Sequence, residues 1–310
     1  MQCPPPPSRV KNLRLVTLIG STRNSLVYVV YVPKSKEKMA LKIIHKSLMP
    51  AEQVDKEFKI QSKLKHKYIM PISEYFDFQD YRALLMPRAL GGSLAELPSL
   101  NNNIMQSNNL ECINDCRSIH SSLNPLSIAK IMYRVIESIE YLHSQNILHG
   151  DIKPANIVLT QSDLADPIPQ LIDFGHATHL EKHQMCTCHL MTCIFSAPEL
   201  LGMKPHGLPS DIWSLAATFI YLITGKEILH LKHMEVMYFE AMNLKLSFES
   251  KEWEMFPSSL KDLINKMLNK DPLKRPTATQ CLYHPFFVEM LGKQWINMEK
   301  ENVMKMNIDK

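Results

Sequence analysis

Glycine is scarce in this sequence, which has 9 glycines among 310 residues, whereas an average composition would give roughly 22. Collagen-like chains, glycine-rich linkers and propeller repeats are therefore not expected. An excess of one charge is also missing, because 35 Lys and Arg face 31 Asp and Glu for a formal net charge of +4. The basic residues are scattered, which does not favour a nucleic-acid partner. The 45% of hydrophobic residues can form a large core, which excludes wholesale disorder.

Long hydrophobic runs are absent as well. The longest apolar stretch, residues 212–223, has 12 residues and contains polar side chains, so it predicts a buried core helix and no membrane span. The start, Met1-Gln2-Cys3 followed by four prolines, has no apolar region typical of a secretory signal. Seven cysteines in a chain of this length indicate free thiols in a reducing compartment. We expect a soluble intracellular protein, cytoplasmic or nuclear.

The first third of the sequence has the apolar alternation of β-strands. Strands are predicted at residues 13–19, 26–32, 39–44, 72–78 and 82–86. A charged segment at residues 52–64 carries apolar residues at three- and four-residue spacing, which predicts one helix between the strands.

The sequence after Gly91-Gly92 is helical in pattern. Residues 99–124 are rich in Asn and Ser and predict an exposed insertion. Asn124-Pro125 then supplies an N-cap and a first-turn proline. The helix that follows has Ile128, Ile131, Val135, Ile139 and Leu142 on one face. Further helices are predicted at residues 210–224, 236–242, 258–268 and 277–282, whereas residues 295–310 receive no predicted structure. The fold class is α+β, with a small β-rich lobe before a larger helical lobe.

Three short motifs follow one another in the second half of the chain. They are His149-Gly150-Asp151-Ile152-Lys153-Pro154-Ala155-Asn156, Leu171-Ile172-Asp173-Phe174-Gly175 and Ala197-Pro198-Glu199. Their order and spacing resemble the signature set of the eukaryotic-type protein kinase family. The resemblance implies a bilobal domain over residues 13–287, with an N-lobe at 13–86, a hinge at 87–92 and a C-lobe at 93–287. A Pro-rich extension at 1–12 and a tail at 288–310 would flank it.

The resemblance also implies which residues carry the chemistry. Phosphoryl transfer needs metal ions, in-line positioning and charge neutralisation. Asp173 and Asn156 would hold Mg²⁺, Asp151 would orient the substrate hydroxyl, and Lys153 would reach the γ-phosphate of ATP. Lys42 in Met39-Ala40-Leu41-Lys42 would neutralise the α- and β-phosphates and pair with a helix glutamate. Glu57 fits the family spacing E-x₆-L-x-H-x-x-I better than the alternative, Glu52.

The remaining residues expected to bind ATP lie in the first 160 positions. The phosphate loop with its flanks comprises Ile19, Gly20, Ser21, Thr22, Arg23, Asn24, Ser25, Leu26 and Val27. Met86 falls at the gatekeeper position, and the Pro87 carbonyl with the Ala89 backbone would bond adenine. Val27, Ala40 and Val158 would sandwich the adenine ring.

The sequence departs from the family at several positions. The phosphate loop keeps one glycine of three, and the bulk of Thr22 and Ser25 predicts weaker nucleotide binding than is usual. Gly150 replaces the arginine before the catalytic aspartate. Without that charge, activity should depend less on phosphorylation of the activation segment. Gln61 stands where the family places an apolar residue, so either the helix is shifted to bring in Ile60 or the active state is less well packed.

Two further expectations concern the activation segment and the C-lobe. Histidines and cysteines are concentrated there: His176, His179, His183, Cys186, Cys188, His189 and Cys193. Their spacing is irregular, so we favour unliganded side chains over a zinc or redox site. The family pattern further implies that Arg275 pairs with Glu199, and that Thr192 bonds the catalytic Asp and Lys.

Taken with the family resemblance, the sequence predicts an ATP- and Mg²⁺-dependent serine/threonine kinase that acts on proteins. Lys153 followed by Pro154 resembles serine/threonine rather than tyrosine kinases. The alternative is a pseudokinase-like scaffold with little or no transfer activity. A small-molecule kinase is disfavoured by Ala197-Pro198-Glu199, which serves a peptide-binding platform in the family. The subfamily, the physiological substrate and the oligomeric state stay open.

Overall fold

The structure is a computed structural model that describes residues 9–22, 24–48, 51–97, 123–181 and 193–308. The N-terminal lobe is an antiparallel sheet of six strands in the order β1-β2-β3-β4-β6-β5. The strands are β1 Arg9–Val10, β2 Leu13–Ser21, β3 Ser25–Val32, β4 Glu37–His45, β5 Glu74–Asp77 and β6 Tyr81–Pro87. Helix α1, Ala51–Gln61, connects β4 to β5. Apart from the short strand β1, which the sequence did not predict, this element order agrees with the predicted one.

The core of the N-terminal lobe comes from alternate residues of its strands. Side chains on one face are buried together because successive strand residues point to opposite faces. The buried set is Val10, Leu13, Val30, Leu41, Ile43, Phe76, Ala83 and Leu85. Val10 is fully buried although it lies in the Pro-rich N-terminal extension, because β1 pairs it with Leu13.

The C-terminal lobe is helical. Its helices are α2 Pro125–Ser144, α3 Pro198–Leu201, α4 Pro209–Thr224, α5 Met234–Asn243, α6 Lys251–Glu254, α7 Ser258–Met267, α8 Ala278–Leu282, α9 Pro285–Leu291 and α10 Lys293–Ile308. The Asn124 side chain accepts the Ser127 N–H and caps α2, as the sequence predicts. Helix α4 is apolar on nearly all sides and lies in the core, and Gly225 ends it with a φ of 71°.

Two short strand pairs in the C-terminal lobe flank the motifs. Strand β7, Ile147–Leu148, pairs with β10, Thr178–His179, and β8, Ile157–Leu159, pairs with β9, Pro169–Leu171. A 3-10 turn at Pro154–Asn156 precedes β8. Within the described ranges, no helix is both long and apolar enough to cross a membrane.

The prediction for the C-terminal tail was wrong. Residues 295–308 belong to helix α10, which packs on the C-terminal lobe with Ile296 and Glu299 buried. Apolar residues are frequent in this segment, but none lies between Met298 and Val303, so a steady three- and four-residue spacing is missing. The helix depends on contacts that a local pattern does not reveal. The predicted insertion at 99–124 lies outside the described residues except for its last two, where Leu123 is buried and Asn124 caps α2.

Candidate active site

Lys42 connects three elements of the site. It lies in β4, and its Nζ is 2.7 Å from Oε1 of Glu57 in α1 and 2.9 Å from Oδ1 of Asp173, which follows β9. The side chain of Glu57 is 2% exposed, so the pair is shielded from solvent. Glu52, the alternative partner, is exposed at the start of α1. The structure therefore brings together Lys42, Glu57 and Asp173.

The charged groups in this cluster shift one another's pKa values. Burial alone would lower the pKa of Lys42, but the carboxylates of Asp173 and Glu57 raise it above its ordinary value. The Lys42 ammonium lowers the pKa of Asp173 well below its usual range, against the opposing effect of burial. Lys42 is therefore a fixed cation and Asp173 a fixed carboxylate at neutral pH.

The catalytic-loop motif forms a second cluster. Asp151 is 7% exposed, and its Oδ2 accepts from Lys153 Nζ at 2.7 Å and from Asn156 Nδ2 at 2.8 Å. The same amide nitrogen donates to the Asp151 carbonyl at 2.8 Å. These bonds use the nitrogen of the Asn156 side chain and leave its amide oxygen as the atom that can bind a metal. The motif therefore folds as a compact turn with three functional groups held together.

The backbone joins the two clusters. The N–H of Ile172 donates to the Asn156 carbonyl at 3.0 Å, immediately before Asp173 in the chain. Asp173 adopts a left-handed φ of 64°, which few residues other than Asn, Asp and Gly tolerate. A Cβ on Gly175 would lie 3.3 Å from Oδ1 of Asp173. Glycine there leaves room for the carboxylate.

Asp211 is a residue of the site whose contacts the sequence interpretation missed. It lies in the first turn of α4 and is 1% exposed. Its carboxylate accepts the N–H groups of His149 and Gly150 at 2.9 and 3.0 Å, and Nε2 of His143 lies 3.0 Å away. Burial would raise the pKa of Asp211, but the hydrogen bonds and charges of the two histidines lower it. The sequence signals are an acidic residue in an otherwise apolar helix and the resemblance of residues 210–215 to the start of the family's buried central helix.

The predicted adenine-binding residues share one face of the sheet. Opposed residues of antiparallel strands point to the same side, and the register opposes Val27 to Lys42 and Ala40 to Met86. Lys42 and Ala40 are two residues apart, so these four side chains face the same way. Val158 lies in β8, where Ser93 of the segment after the predicted hinge forms an isolated bridge to it.

The predicted phosphate loop lies between β2 and β3. Ile19, Gly20 and Ser21 end β2, and Ser25, Leu26 and Val27 begin β3. Thr22 and Asn24 form the turn between these strands, and Arg23 lies outside the described residues. The Thr22 hydroxyl accepts the N–H groups of Ser25 at 3.1 Å and of Asn24 at 3.3 Å, and it bonds the Ser25 hydroxyl at 2.8 Å. The turn therefore uses the N–H groups of Asn24 and Ser25 internally.

The predicted hinge is tightly packed against β8. The N–H of Gly91 donates to the Leu159 carbonyl at 2.9 Å, and Leu159 donates back to Gly92 at 2.8 Å. A Cβ on Gly91 would lie 2.2 Å from a backbone oxygen, so only glycine fits. Pro87 ends β6 and is exposed, and Ala89 is half-buried two residues later.

Helix α1 is not shifted by one residue, and Gln61 itself occupies the buried position that the family pattern gives to an apolar residue. Its side chain is 2% exposed, and its Nε2 donates to the Met70 carbonyl at 2.8 Å. Ile60 also packs against the core of the C-terminal lobe. A buried polar group thus stands in the expected apolar position, and a hydrogen bond satisfies it.

Only part of the activation segment is described. Thr192 and the group His183, Cys186, Cys188 and His189 lie outside the described residues, as does the side chain of Cys193. Among the described residues, no three His, Cys, Asp or Glu side chains are grouped as in a metal site.

Beyond the segment, Arg275 donates to both oxygens of Glu199 at 2.6 and 2.7 Å, with both side chains buried. That contact is the bidentate pair that the sequence predicts.

Comparison with known proteins agrees with this geometry. The profile of a family described as protein kinase domain matches residues 13–287. A probable myosin light chain kinase of Dictyostelium discoideum is 27% identical over 259 residues, which cover 83% of this chain and 61% of the relative. Serine/threonine-protein kinase PLK4 of Drosophila virilis is 28% identical over 286 residues, covering 89% of this chain and 33% of the relative. PLK4 of Danio rerio is 26% identical over 293 residues, covering 91% of this chain and 28% of the relative. The chain thus spans less than two thirds of the length of these relatives.

Proposed function

This chain belongs to the protein kinase family, and from that premise we propose that it transfers the γ-phosphoryl group of ATP to Ser and Thr hydroxyls of proteins. The observation that carries the proposal is the assembled cluster of Lys42, Glu57 and Asp173, with Nζ to carboxylate distances of 2.7 and 2.9 Å. We further propose residues 13–287 as the catalytic domain, with its lobes meeting at 87–92.

Mg²⁺ fits the donor groups of this site. Mg²⁺ in phosphoryl-transfer sites is held by one or two carboxylates together with substrate phosphates. The carboxylate of Asp173 and the amide oxygen of Asn156 are hard oxygen donors of that kind, and the Asn156 nitrogen is already bonded to Asp151. When bound, Mg²⁺ supplies neutralisation of the phosphate charge.

Asp151 is the proposed group that receives the substrate proton. Lys153 and Asn156 both bond its Oδ2, which leaves Oδ1 to orient a Ser or Thr hydroxyl and to accept its proton. Lys153, beside it, can reach the γ-phosphate as a point charge. Asp211 holds the backbone of this loop and acts as a positioning residue. Specificity for Ser and Thr rests on Lys153-Pro154 and on the names of the relatives.

The nucleotide is proposed to lie against the shared face of β3 and β4. Val27, Ala40 and Val158 would enclose adenine, with Met86 behind it and the backbone of Pro87 and Ala89 as its hydrogen-bonding edge. Lys42 on the same face would meet the α- and β-phosphates. The loop from residue 19 to 27 would cover those phosphates.

A scaffold with little or no transfer activity is the second candidate. One observation favours it: Thr22 occupies the N–H groups of Asn24 and Ser25, which a glycine-rich loop would offer to phosphate. Phosphate must displace these bonds, so we expect the double variant Thr22→Gly/Ser25→Gly to bind ATP more tightly than the wild type. A nucleotide titration that gives equal affinities would remove this argument.

A phosphoryl-transfer assay decides between the two candidates. Purified wild type and the Asp173→Asn variant are incubated with ATP labelled at the γ-phosphate and with a mixture of Ser- and Thr-containing proteins. We expect label transfer by the wild type and none by the variant. Label in both reactions would indicate a contaminating kinase, and no label in either would support the scaffold.

Regulation at Gly150 is tested in the same assay. Because Gly150 carries no cationic side chain, no phosphate on the activation segment is needed to neutralise it. We expect phosphatase-treated protein to keep its activity. Loss of activity after that treatment would contradict this expectation.

A further inference from the structure

Glu299 is a buried carboxylate in helix α10, far along the chain from every catalytic motif. It is 4% exposed. Its Oε1 accepts from Lys67 Nζ at 2.9 Å and from the Tyr68 hydroxyl, and its Oε2 accepts from Arg134 Nη2 at 2.8 Å. A buried carboxylate is strongly disfavoured unless it is paired and hydrogen-bonded. Three donors satisfy that requirement here.

The partner on α2 is itself anchored. Arg134 is 2% exposed, and its Nη1 donates to the Pro167 carbonyl at 2.7 Å and lies 2.9 Å from Oδ1 of Asp166. Its guanidinium carbon is 5.2 Å from the centroid of the Trp295 ring at the start of α10. Arg134 thus fixes α10 to the C-terminal lobe, and Glu299 extends from that anchored helix.

The other two partners belong to the connecting loop, residues 67–70, between α1 and β5. This loop is bonded to strand β9, which leads into Asp173. The N–H of Leu171 donates to the Tyr68 carbonyl at 2.9 Å, and the N–H of Met70 donates to the Leu171 carbonyl at 3.0 Å. Gln170 Nε2 also donates to the Lys67 carbonyl at 3.0 Å. Asp173 follows Leu171 by two residues.

The connecting loop also holds α1. The Met70 carbonyl accepts from Nε2 of Gln61, the last residue of that helix. Gln61 follows Glu57 by four residues, so both lie on one face of α1, one turn apart. Residues 67–70 therefore contact the elements that carry both carboxylates of the Lys42 cluster.

We propose that Glu299 is a positioning residue for phosphoryl transfer. By fixing the connecting loop to α10, it sets the position of α1 and of β9 and so keeps Glu57 and Asp173 within reach of Lys42. The proposal rests on the proposed kinase function. A displacement of about 1 Å that a mutation far from the chemistry causes at the reacting groups can slow a reaction on the order of 100-fold, and we expect the neutral variant Glu299→Gln to lower kcat on the order of 10-fold.

The test compares Glu299→Gln with Glu301→Gln. Both remove one carboxylate charge from α10, but Glu301 is exposed and lies 4.0 Å from Lys305. Measured well below the unfolding temperature, kcat should fall in the first variant only, with a smaller change in KM for ATP. Hydrogen exchange should also become faster at the N–H groups of Met70 and Leu171. Unchanged kcat and unchanged exchange in folded Glu299→Gln, or the same losses in Glu301→Gln, would overturn the proposal.

A second variant covers the case in which Glu299→Gln does not fold. Lys67→Met removes a partner from the other end and leaves the bond between Glu299 and Arg134, with exposed Lys63→Met as its control. We expect the same fall in kcat and the same faster exchange. If the wild type transfers no phosphate, the kinase function fails, and the exchange of Met70 and Leu171 still decides whether Glu299 positions the loop.

Discussion

Glu137 provides a quantitative test of the charge arrangement around α10. It lies one turn after Arg134 on α2 and is 7% exposed. Among the described residues, its Oε2 has no hydrogen-bond partner. Burial raises the pKa of Glu137 from its ordinary 4.5 to about 7, against the opposing charges of Lys67, Lys300 and Arg134. Two of these cations, Lys67 and Arg134, bond Glu299 instead.

The sign of the resulting pH dependence follows from proton binding. Between pH 4.5 and about 7, the native state keeps the Glu137 proton while the unfolded state releases it. The free energy of unfolding therefore falls as the pH rises through this window. One pKa unit corresponds to about 1.36 kcal/mol, so raising the pKa from 4.5 to about 7 corresponds to about 3 kcal/mol. The full cost is present above pH 7 and absent below pH 4.5.

The variant Glu137→Gln should remove this cost, because glutamine has nearly the same shape and does not ionise. We expect the variant to exceed the wild type by less than about 1 kcal/mol near pH 5 and by up to about 3 kcal/mol at pH 8, or roughly 6 °C in Tm at pH 8. Differential scanning fluorimetry of both proteins across pH 5–8 measures the difference, with Glu301→Gln as the control. A difference in Tm that is the same at pH 5 and pH 8 would refute the reasoning.

Three further predictions concern packing and burial. Arg275→Met leaves the Glu199 carboxylate buried without its cation, and we expect the free energy of unfolding in urea to fall by about 3–5 kcal/mol. A fall of less than about 1 kcal/mol would contradict the claim that this buried pair stabilises the fold. Burial raises the pKa of the Cys281 thiol to about 12, so peptide mapping after alkylation at pH 8 should find it modified only in denaturant. Gly91→Ala should lower Tm by several degrees, because its Cβ would lie 2.2 Å from a carbonyl oxygen. Gly20→Ala is the control, since its nearest contact is at 3.5 Å, and equal effects would argue against the steric cause.

The parts of the fold that the sequence predicts are those with local signals. The helix predicted at 210–224 corresponds to α4, Pro209–Thr224, because an apolar stretch ends at Gly225 with a left-handed φ. Helix α8 begins after Thr277, whose hydroxyl accepts the N–H of Gln280 while the Gln280 side chain accepts the N–H of Thr277. The residues that form such caps and apolar alternations lie within a few positions of one another in the sequence. The catalytic motifs share this property, since each is a short run whose functional groups lie on one turn.

The parts that the sequence did not predict depend on contacts between distant segments. Glu299 lies 165 positions after Arg134, and nothing near residue 299 indicates that the two residues meet. The same holds for Asp211, whose carboxylate bonds backbone N–H groups 61 and 62 positions earlier. Gln61 is a third case, because the sequence marks its position as one usually filled by an apolar residue but does not reveal the hydrogen bond to Met70 that satisfies its side chain. Tertiary structure overrides local preference at all three positions.

The two departures at glycine positions have different physical meanings. Gly150 adopts a φ of 77°, and a Cβ there would lie 3.1 Å from the His176 carbonyl oxygen. Any other L-residue at that position would be strained, so glycine suits the catalytic-loop backbone, and the absent side chain alone does not argue against catalysis. In the phosphate loop, by contrast, a larger residue replaces a glycine: Thr22 adds a hydroxyl that accepts the N–H groups of Asn24 and Ser25. The case for a scaffold therefore depends on that one turn, since the Lys42 cluster and the Asp151 cluster are both assembled.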